Sequence, residues 1–293
     1  MRAAVFKEMG KPLAVETIAK PECGPNDLIL KVKTCGICGS DLHMTEPTSI
    51  MPLPSGAVMG HEFAGEVVEI GSALKGRWKA GDRVAGFPYL CCGEHVPCLN
   101  IGIGGGMCAK GKGIGLGQSH GAYAEFVRIS SSGAHPLPQS VSWQEGAMVE
   151  PLAVGLHAVD MGRMNRGDTV LVIGAGPVGL AGKGPDLIFE CVGVPGLINE
   201  TMMMAPRGAK IVIAGVCQSP DTIMPLVGIM KELNLQFVLG YRPADFDYVI
   251  EMIAKDRVDV SQMVTDTITL DQLPAAFEAL RKPTHQCKVM LVN

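Results

Sequence analysis

The feature that most constrains this chain is a short run of metal-binding side chains between residues 35 and 62. The run begins Cys-Gly-Ile-Cys-Gly-Ser-Asp-Leu-His at Cys35 and ends Gly-His-Glu at Glu62. Thiolate, imidazole and carboxylate groups are ligand types that Zn²⁺ prefers. Glycines at 36, 39 and 60 let the backbone turn closely around an ion. The run therefore predicts a zinc site within one short region of the chain.

A catalytic zinc takes three protein ligands and keeps a fourth position open for water or substrate. Cys38 and His61 are candidates for two ligands, and a carboxylate such as Glu62 for the third. Ser40 and His43 follow Cys38 by two and five residues and are candidates to carry a proton away from the open position. Any one of these residues alone is better explained by a turn with a buried cysteine, because single motif matches carry false positives. The whole set together favours zinc.

These two segments resemble the signatures of the medium-chain, zinc-dependent alcohol dehydrogenase family. Cys-Gly-Ile-Cys-Gly-Ser-Asp-x-His and Gly-His-Glu are among that family's most specific motifs. The resemblance implies an α/β protein with a GroES-like, β-rich catalytic domain over 1–153 and 241–293. A Rossmann-type, doubly wound parallel sheet that binds NAD or NADP would occupy 154–240. The resemblance also gives Asp41 the role of supporting His61, since a metal-bound histidine usually donates its other N–H to a carboxylate.

A second glutamate competes for the role of third zinc ligand. In the polyol, threonine and butanediol dehydrogenase-like branch of the family, a glutamate that matches Glu150 points into the zinc site. Glu62 and Glu150 are therefore alternatives, and they could exchange during turnover. Glu150 is also explained as the cap of a helix that Pro151 begins.

A glycine-rich motif predicts the cofactor site. The apolar run Thr169–Ile173 reads as a buried strand and leads directly into Gly-Ala-Gly-Pro-Val-Gly. A G-x-G-x-x-G motif after a strand lets the backbone approach a pyrophosphate, which then faces a helix N-terminus. Alone the motif is weak, but after a first domain of zinc-dehydrogenase type it indicates NAD or NADP. The cofactor-binding candidates are Gly174, Gly176, Pro177, Val178 and Gly179.

The resemblance breaks after Leu180. The family continues with a helix and two more strands, whereas here Ala-Gly-Lys-Gly-Pro-Asp leads at once into Leu187–Gly193, which resembles the family's fourth strand. Either the protein carries a segment that this sequence lacks, or the deletion is real and the sheet is shortened. A shortened sheet leaves an apolar strand on an open edge, which is an aggregation hazard and favours the first explanation. Both remove the residue that separates NAD from NADP.

A cysteine-rich segment leaves two interpretations open. Cys92, His95 and Cys98 keep the spacing of the family's structural-zinc lobe, with histidine in place of the second cysteine. Cys108 follows after a longer, glycine-rich arm. A Cys₃His zinc site is chemically sound, and so is a lobe that has lost its metal and kept its thiols.

Composition excludes several classes of protein. The chain has 293 residues, enough for two domains, and is 47% hydrophobic and 18% charged, so it can bury a large core. A net charge of −4 gives no argument for binding nucleic acid or an anionic membrane. We find no signal-peptide layout and no membrane-spanning run, and we expect a cytoplasmic protein. The ten cysteines are interpreted as metal ligands and buried thiols.

The resemblance implies an oxidoreductase that transfers a hydride between a secondary alcohol or polyol and NAD(P). Ser40 would accept the hydroxyl proton and His43 would relay it to solvent. The alternative is a zinc-stabilised, non-catalytic binding or structural protein with a degraded cofactor site. A zinc-free quinone reductase is disfavoured because it would not need Cys38 and His61. The expected partners are a small-molecule alcohol or ketone and further copies of the chain, as a homo-dimer or homo-tetramer.

Three local predictions concern elements near these residues. Residues 121–127 are predicted to form a strand, and residues 151–161 a helix that links the two domains. The segment Asp245–Lys255 is predicted to be an amphipathic helix. Its apolar face is formed by Phe246, Val249, Ile250 and Ile253.

Overall fold

The computed structural model describes residues 1–49, 53–74, 76–90, 111–174, 184–282 and 285–293. The chain divides into two compact units. The first consists of Met1–Ala153 and Arg242–Asn293, and the second of Val154–Tyr241. No helix in the described part of the chain is long and apolar enough to cross a bilayer.

The described residues form short strands and six helices. The strands are β1 (Arg2–Val5), β2 (Ala14–Thr17), β3 (Asp27–Gly36), β4 (Glu62–Ile70), β5 (Arg83–Gly86), β6 (Tyr89–Leu90), β7 (Lys112–Gly113), β8 (Phe126–Ser130), β9 (Ala134–Pro136), β10 (Val170–Ile173), β11 (Leu187–Glu190), β12 (Lys210–Ile213), β13 (Asn234–Phe237), β14 (Val264–Ile268) and β15 (Lys288–Val292). The helices are α1 (Gly39–Met44), α2 (Trp143–Gly162), α3 (Leu197–Met204), α4 (Pro225–Lys231), α5 (Pro243–Ala254) and α6 (Leu273–Ala279).

The first unit is built on a mixed seven-stranded sheet. Its strand order is β14-β15-β3-β4-β5-β9, and β8 also pairs with β3. Every pair in it is antiparallel except β14 with β15. Strand β3 is buried over most of its length, and Leu28, Leu30 and Val32 all enter the core. Burying a side chain of this size contributes about 1.5–3 kcal/mol.

The pairing of β3 with β4 brings the two ends of the metal-binding run together. Gly36 at the end of β3 lies opposite Glu62 at the start of β4, and Cys35 lies opposite Phe63. Cys38 follows β3 by two residues and His61 precedes β4 by one, so the register places both residues at the same end of this strand pair.

The second unit contains a parallel four-stranded sheet in the order β10-β11-β12-β13. On one face Ala158 of α2 contacts Leu187, Phe189 and Val212. On the other face Met202 of α3 joins a separate cluster, which includes Leu171, Ile188 and Ile211. Helices on both faces of a parallel sheet define a doubly wound arrangement.

Among the residues that the structure describes, β10 is an edge strand of this sheet. β10 pairs directly with β11, with Val170 opposite Leu187 and Val172 opposite Phe189. In the described part of the chain no strand lies beyond β10. Val170 is 37% exposed and Val172 is 39% exposed. The sheet therefore has the open apolar edge that the sequence predicts for a shortened sheet.

One local prediction is wrong, and a second is correct only in part. Helix α2 begins at Trp143, eight residues before Pro151, so Glu150 does not cap a helix that Pro151 begins. The helix starts early because Ser142 and Glu145 form a capping box, in which the Ser142 N–H donates to Glu145 at 2.7 Å and the Glu145 N–H donates to Ser142 at 3.2 Å. Residues 121–125 form no regular strand; strand β8 begins only at Phe126.

The predicted amphipathic helix is confirmed. It spans Pro243–Ala254, and all four residues of its predicted apolar face are buried. Proline at the first helical position suits this start, because that position needs no N–H donor.

Candidate metal and catalytic site

The side chains of the site lie on one turn and one short helix. Cys38 is the N-cap of α1, and its backbone N–H donates to Asp41 Oδ2 at 3.1 Å. On the opposite segment Gly60 turns the chain into His61 with a φ of 92°. A β-carbon at Gly60 would lie 2.6 Å from the ring of Tyr123, so both the conformation and the space require glycine.

Three ligand atoms converge at this point. The thiol of Cys38, an imidazole nitrogen of His61 and a carboxylate oxygen of Glu62 all lie within 4.8 Å of one another. Ser40 Oγ donates to Cys38 Sγ at 3.2 Å and lies 3.4 Å from His61 Nε2. A thiolate, an imidazole and a carboxylate at this separation fit a zinc ion.

Asp41 lies behind His61. Its Oδ1 is 3.3 Å from His61 Nδ1, while His61 Nε2 is the nitrogen that faces Ser40. Burial works to lower the pKa of His61, but the charges of Asp41 and Cys38 outweigh it and raise that pKa well above its ordinary value. The carboxylate thus orients the ring so that Nε2 is presented to the metal side, the arrangement typical of metal-binding histidines.

Tyr123 contacts Asp41 and so supports His61 indirectly. Sequence reasoning missed this residue. Its hydroxyl donates to Asp41 Oδ2 at 2.6 Å, and both side chains are fully buried. Burial, with the nearby charge of Asp41, raises the pKa of Tyr123 well above its ordinary value, so the hydroxyl keeps its proton. A buried tyrosine needs a hydrogen-bond partner, but nothing in the sequence indicates that the partner is Asp41.

Lys288 neutralises Glu62. Its Nζ lies 2.7 Å from each carboxylate oxygen of Glu62 and donates to the carbonyl of Ile37 at 3.3 Å. Burial works to lower the pKa of Lys288, but Glu62, Cys38 and Glu150 outweigh it and raise that pKa. Gly36 makes room for this pair, because a β-carbon there would collide with Glu62.

Glu150 is buried on α2, and its charge acts on Lys288. Among the described residues the converging ligand group consists of Cys38, His61 and Glu62, and Glu150 is outside it. His43 is 48% exposed, and its Nδ1 lies 3.5 Å from Glu46.

The predicted cofactor motif is described at its first residue only. Gly174 follows β10 with a φ of 116°, in a turn that packs against Cys191 and Val192. The other candidates lie outside the described residues: Gly176, Pro177, Val178 and Gly179. The same holds for the four candidate ligands of a second zinc: Cys92, His95, Cys98 and Cys108.

Glu190 organises the turn beside Gly174, a role that no sequence motif indicates. It is buried at the end of β11 and accepts hydrogen bonds from the backbone N–H groups of Val192 at 2.6 Å and Gly193 at 2.9 Å. In an open α/β sheet, ligands bind outside the carboxyl ends of the strands, which is where this turn lies.

Two family comparisons agree with this geometry. Residues 24–139 match the alcohol dehydrogenase GroES-like domain, and residues 166–255 match the zinc-binding dehydrogenase family. Together the two matches span the converging ligands and the parallel sheet. The chain belongs to the medium-chain, zinc-dependent alcohol dehydrogenase family, whose enzymes use zinc and NAD(P).

Individual relatives match over the whole chain. The (R,R)-butanediol dehydrogenase of Bacillus subtilis (strain 168) is 28% identical, with 99% of each chain covered. The crystal structure of 2R,3R-butanediol dehydrogenase from Bacillus subtilis superposes with a TM-score of 0.86 at 27% identity, covering 100% of this chain and 99% of that one. A putative zinc-binding dehydrogenase from Sinorhizobium meliloti 1021, solved bound to NADP, gives a TM-score of 0.84 at 26% identity, covering 100% and 99%.

The match to the Bacillus relative extends over 352 aligned positions, more than the 293 residues of this chain. The relative therefore contains residues that have no counterpart here. This agrees with the shortened parallel sheet.

Proposed function

We propose that this dehydrogenase oxidises a secondary alcohol or polyol at a zinc site formed by Cys38, His61 and a carboxylate. The convergence of the three ligand atoms within 4.8 Å carries the proposal. The substrate class is supported by the Bacillus subtilis relative, which is named for butanediol, a compound with two hydroxyl groups. The family relationship already implies a small-molecule substrate.

Bound zinc supplies a Lewis acid that lowers the pKa of a nearby hydroxyl, and bound NAD(P) accepts a hydride. Ser40 Oγ lies against both Cys38 and His61 and is placed to accept the substrate's hydroxyl proton. His43 is three residues further along α1, on the same side of the helix. Its exposed imidazole passes the proton to solvent.

Glu62 is the third ligand in this proposal, and Glu150 is its alternative. Lys288 Nζ lies 2.7 Å from both oxygens of Glu62, so a metal held by Glu62 would compete with this ion pair. The charge of Glu150 contributes to raising the pKa of the same ammonium group. We propose that the two glutamates exchange as third ligand during turnover.

The second unit is proposed to hold the nicotinamide cofactor. Its parallel sheet ends in the Gly174 turn, beside the backbone that Glu190 organises. The remaining motif glycines follow Gly174 in the sequence. The first unit would supply the zinc site, and the second would bind the cofactor.

A homo-dimer is proposed to form through α4 and β13. Strand β13 is the last of its sheet, and α4 buries none of its residues. Four large apolar side chains on these two elements, and a fifth two residues after β13, are between 58% and 73% exposed: Leu226, Ile229, Met230, Phe237 and Leu239. A patch of this kind marks an interaction surface, and a second copy of the chain would cover it symmetrically.

The experiment that tests the reaction measures cofactor reduction with a secondary monoalcohol, a vicinal diol and a polyol. The wild type should reduce NAD⁺ or NADP⁺ with at least one of them. Ser40→Ala should keep its zinc and lose about 100-fold or more in kcat, because it lacks the proton acceptor. Ser219→Ala, at an exposed position, is the matched control. A zinc-loaded wild type that binds neither cofactor and oxidises none of the alcohols would favour the non-catalytic alternative.

A further inference from the structure

We infer that Tyr123 is a positioning residue of the metal site, acting through Asp41 on His61. The inference rests on the proposed zinc site and adds to it a residue that holds the ligands in place without contacting the metal.

The backbone of Tyr123 is attached to the segment that carries His61. The N–H of Tyr123 donates to the carbonyl of Met59 at 2.9 Å, and the N–H of Ala122 donates to the carbonyl of Gly60 at 2.8 Å. The tyrosine ring packs against Gly60 closely enough to exclude a β-carbon there. Tyr123 is therefore fixed to the turn that immediately precedes the histidine ligand.

The side chain of Tyr123 reaches across to the helix that carries the other ligand. Its hydroxyl bonds Asp41 Oδ2 at 2.6 Å, and the same oxygen accepts the backbone N–H of Cys38 at 3.1 Å. The second oxygen of Asp41 faces His61. One carboxylate thus connects the tyrosine, the N-cap cysteine and the histidine ring.

Burial makes this hydrogen bond consequential. Asp41 and Tyr123 have no solvent exposure, so water does not replace a lost donor. An ionised carboxylate only accepts hydrogen bonds. Here Oδ2 of Asp41 accepts from Tyr123 and Cys38, whereas Oδ1 faces His61. Without the tyrosine hydroxyl, Oδ2 keeps only the Cys38 N–H, and the carboxylate is free to rotate away from His61. Loss of such a supporting partner typically weakens metal binding by about 10–100-fold.

The test is zinc affinity, measured by competition with a chromophoric chelator for wild type and Tyr123→Phe. The zinc that Cys38→Ser fails to bind defines the site. Tyr123→Phe should raise the zinc dissociation constant about 10-fold, and the visible spectrum of the cobalt(II) form should shift. Tyr241→Phe is the matched control, because Tyr241 is also buried but belongs to the second unit. An unchanged dissociation constant and cobalt spectrum in Tyr123→Phe would overturn the inference.

A double-mutant comparison separates positioning from packing. If Tyr123 acts through Asp41, Tyr123→Phe should add little further loss of zinc affinity in an Asp41→Asn background. An equal loss in both backgrounds would show a packing role and overturn the inference. This comparison remains decisive if Tyr123→Phe lowers the melting temperature of the metal-free protein, since a packing loss is common to both backgrounds. Wild type with no Cys38-dependent zinc would overturn the proposed function itself.

Discussion

At the scale of single residues, the site contains two kinds of residue. The metal ligands are indicated by a local sequence motif, whereas the residues that hold those ligands in place are not. Cys38 and His61 stand out because their motif keeps chemistry-bearing residues close together in the chain. Lys288 is 226 residues from Glu62 along the chain, and Tyr123 is 82 residues from Asp41. Neither has a neighbouring motif that indicates its partner. Only the folded sheet brings these residues together, so their roles could not be predicted from the sequence.

The ion pair between Lys288 and Glu62 makes a prediction about stability. Lys288→Met leaves a buried carboxylate without its counter-ion, which should cost about 3–5 kcal/mol in the free energy of unfolding of the metal-free protein. Zinc should reduce that loss, because a carboxylate that binds the metal is no longer unpaired. Chemical denaturation with and without zinc measures both values.

The control for that experiment is Lys33→Met. Lys33 pairs with Glu66 at 3.1 Å on a more exposed part of the sheet, and removing such a pair should cost less than about 1 kcal/mol. Equal losses for the two lysine variants would contradict the role given to Lys288.

At the scale of elements, the register of β3 with β4 and the start of α1 determine where the ligands lie. Strand β3 could be predicted from its apolar residues, and the buried face of α5 from its helical spacing. The start of α2 could have been predicted too, because Ser-Trp-Gln-Glu at Ser142 is a capping-box sequence. The helix tolerates Pro151 in its interior. Residues 121–125 form no strand of their own, and Ala124 makes only an isolated bridge to Ala3.

The capping box of α2 predicts a measurable effect. Ser142→Ala removes the side chain that accepts the Glu145 N–H, and it should lower the free energy of unfolding by about 1 kcal/mol. Thermal or chemical unfolding measures this. The same substitution at Ser219 serves as the control and should change stability by less than about 0.5 kcal/mol. A Ser142→Ala protein as stable as wild type would contradict the capping assignment.

At the scale of the whole molecule, the second unit is unusual for the apolar surface that it exposes. One edge of its sheet presents Val170 and Val172, where the family's remaining strands have no counterpart here. The other edge presents α4 and β13. The fold class could be predicted from the sequence motifs. The strand order of the second unit's sheet could be learned only from the structure. Exposed sheet edges promote association between chains.

The dimer surface predicts a change in oligomeric state. Ile229→Lys places a charge at the centre of the proposed contact, where Ile229 is 73% exposed in the single chain. Sedimentation should show wild type as a dimer or larger assembly, and the variant shifted toward monomer. Tyr248→Lys, at an exposed position in the first unit, is the control. A monomeric wild type would contradict the proposal.

The most direct test of the central claim counts bound zinc and measures NAD(P)-dependent alcohol oxidation in the same preparations of wild type, Cys38→Ser and Cys23→Ser. Cys23 lies in the same unit but outside the converging ligand group. We predict that Cys38→Ser loses the zinc of this site and that its activity falls to background, while Cys23→Ser keeps both. A Cys38→Ser protein that retains its full zinc content and oxidises alcohol like wild type would contradict the account.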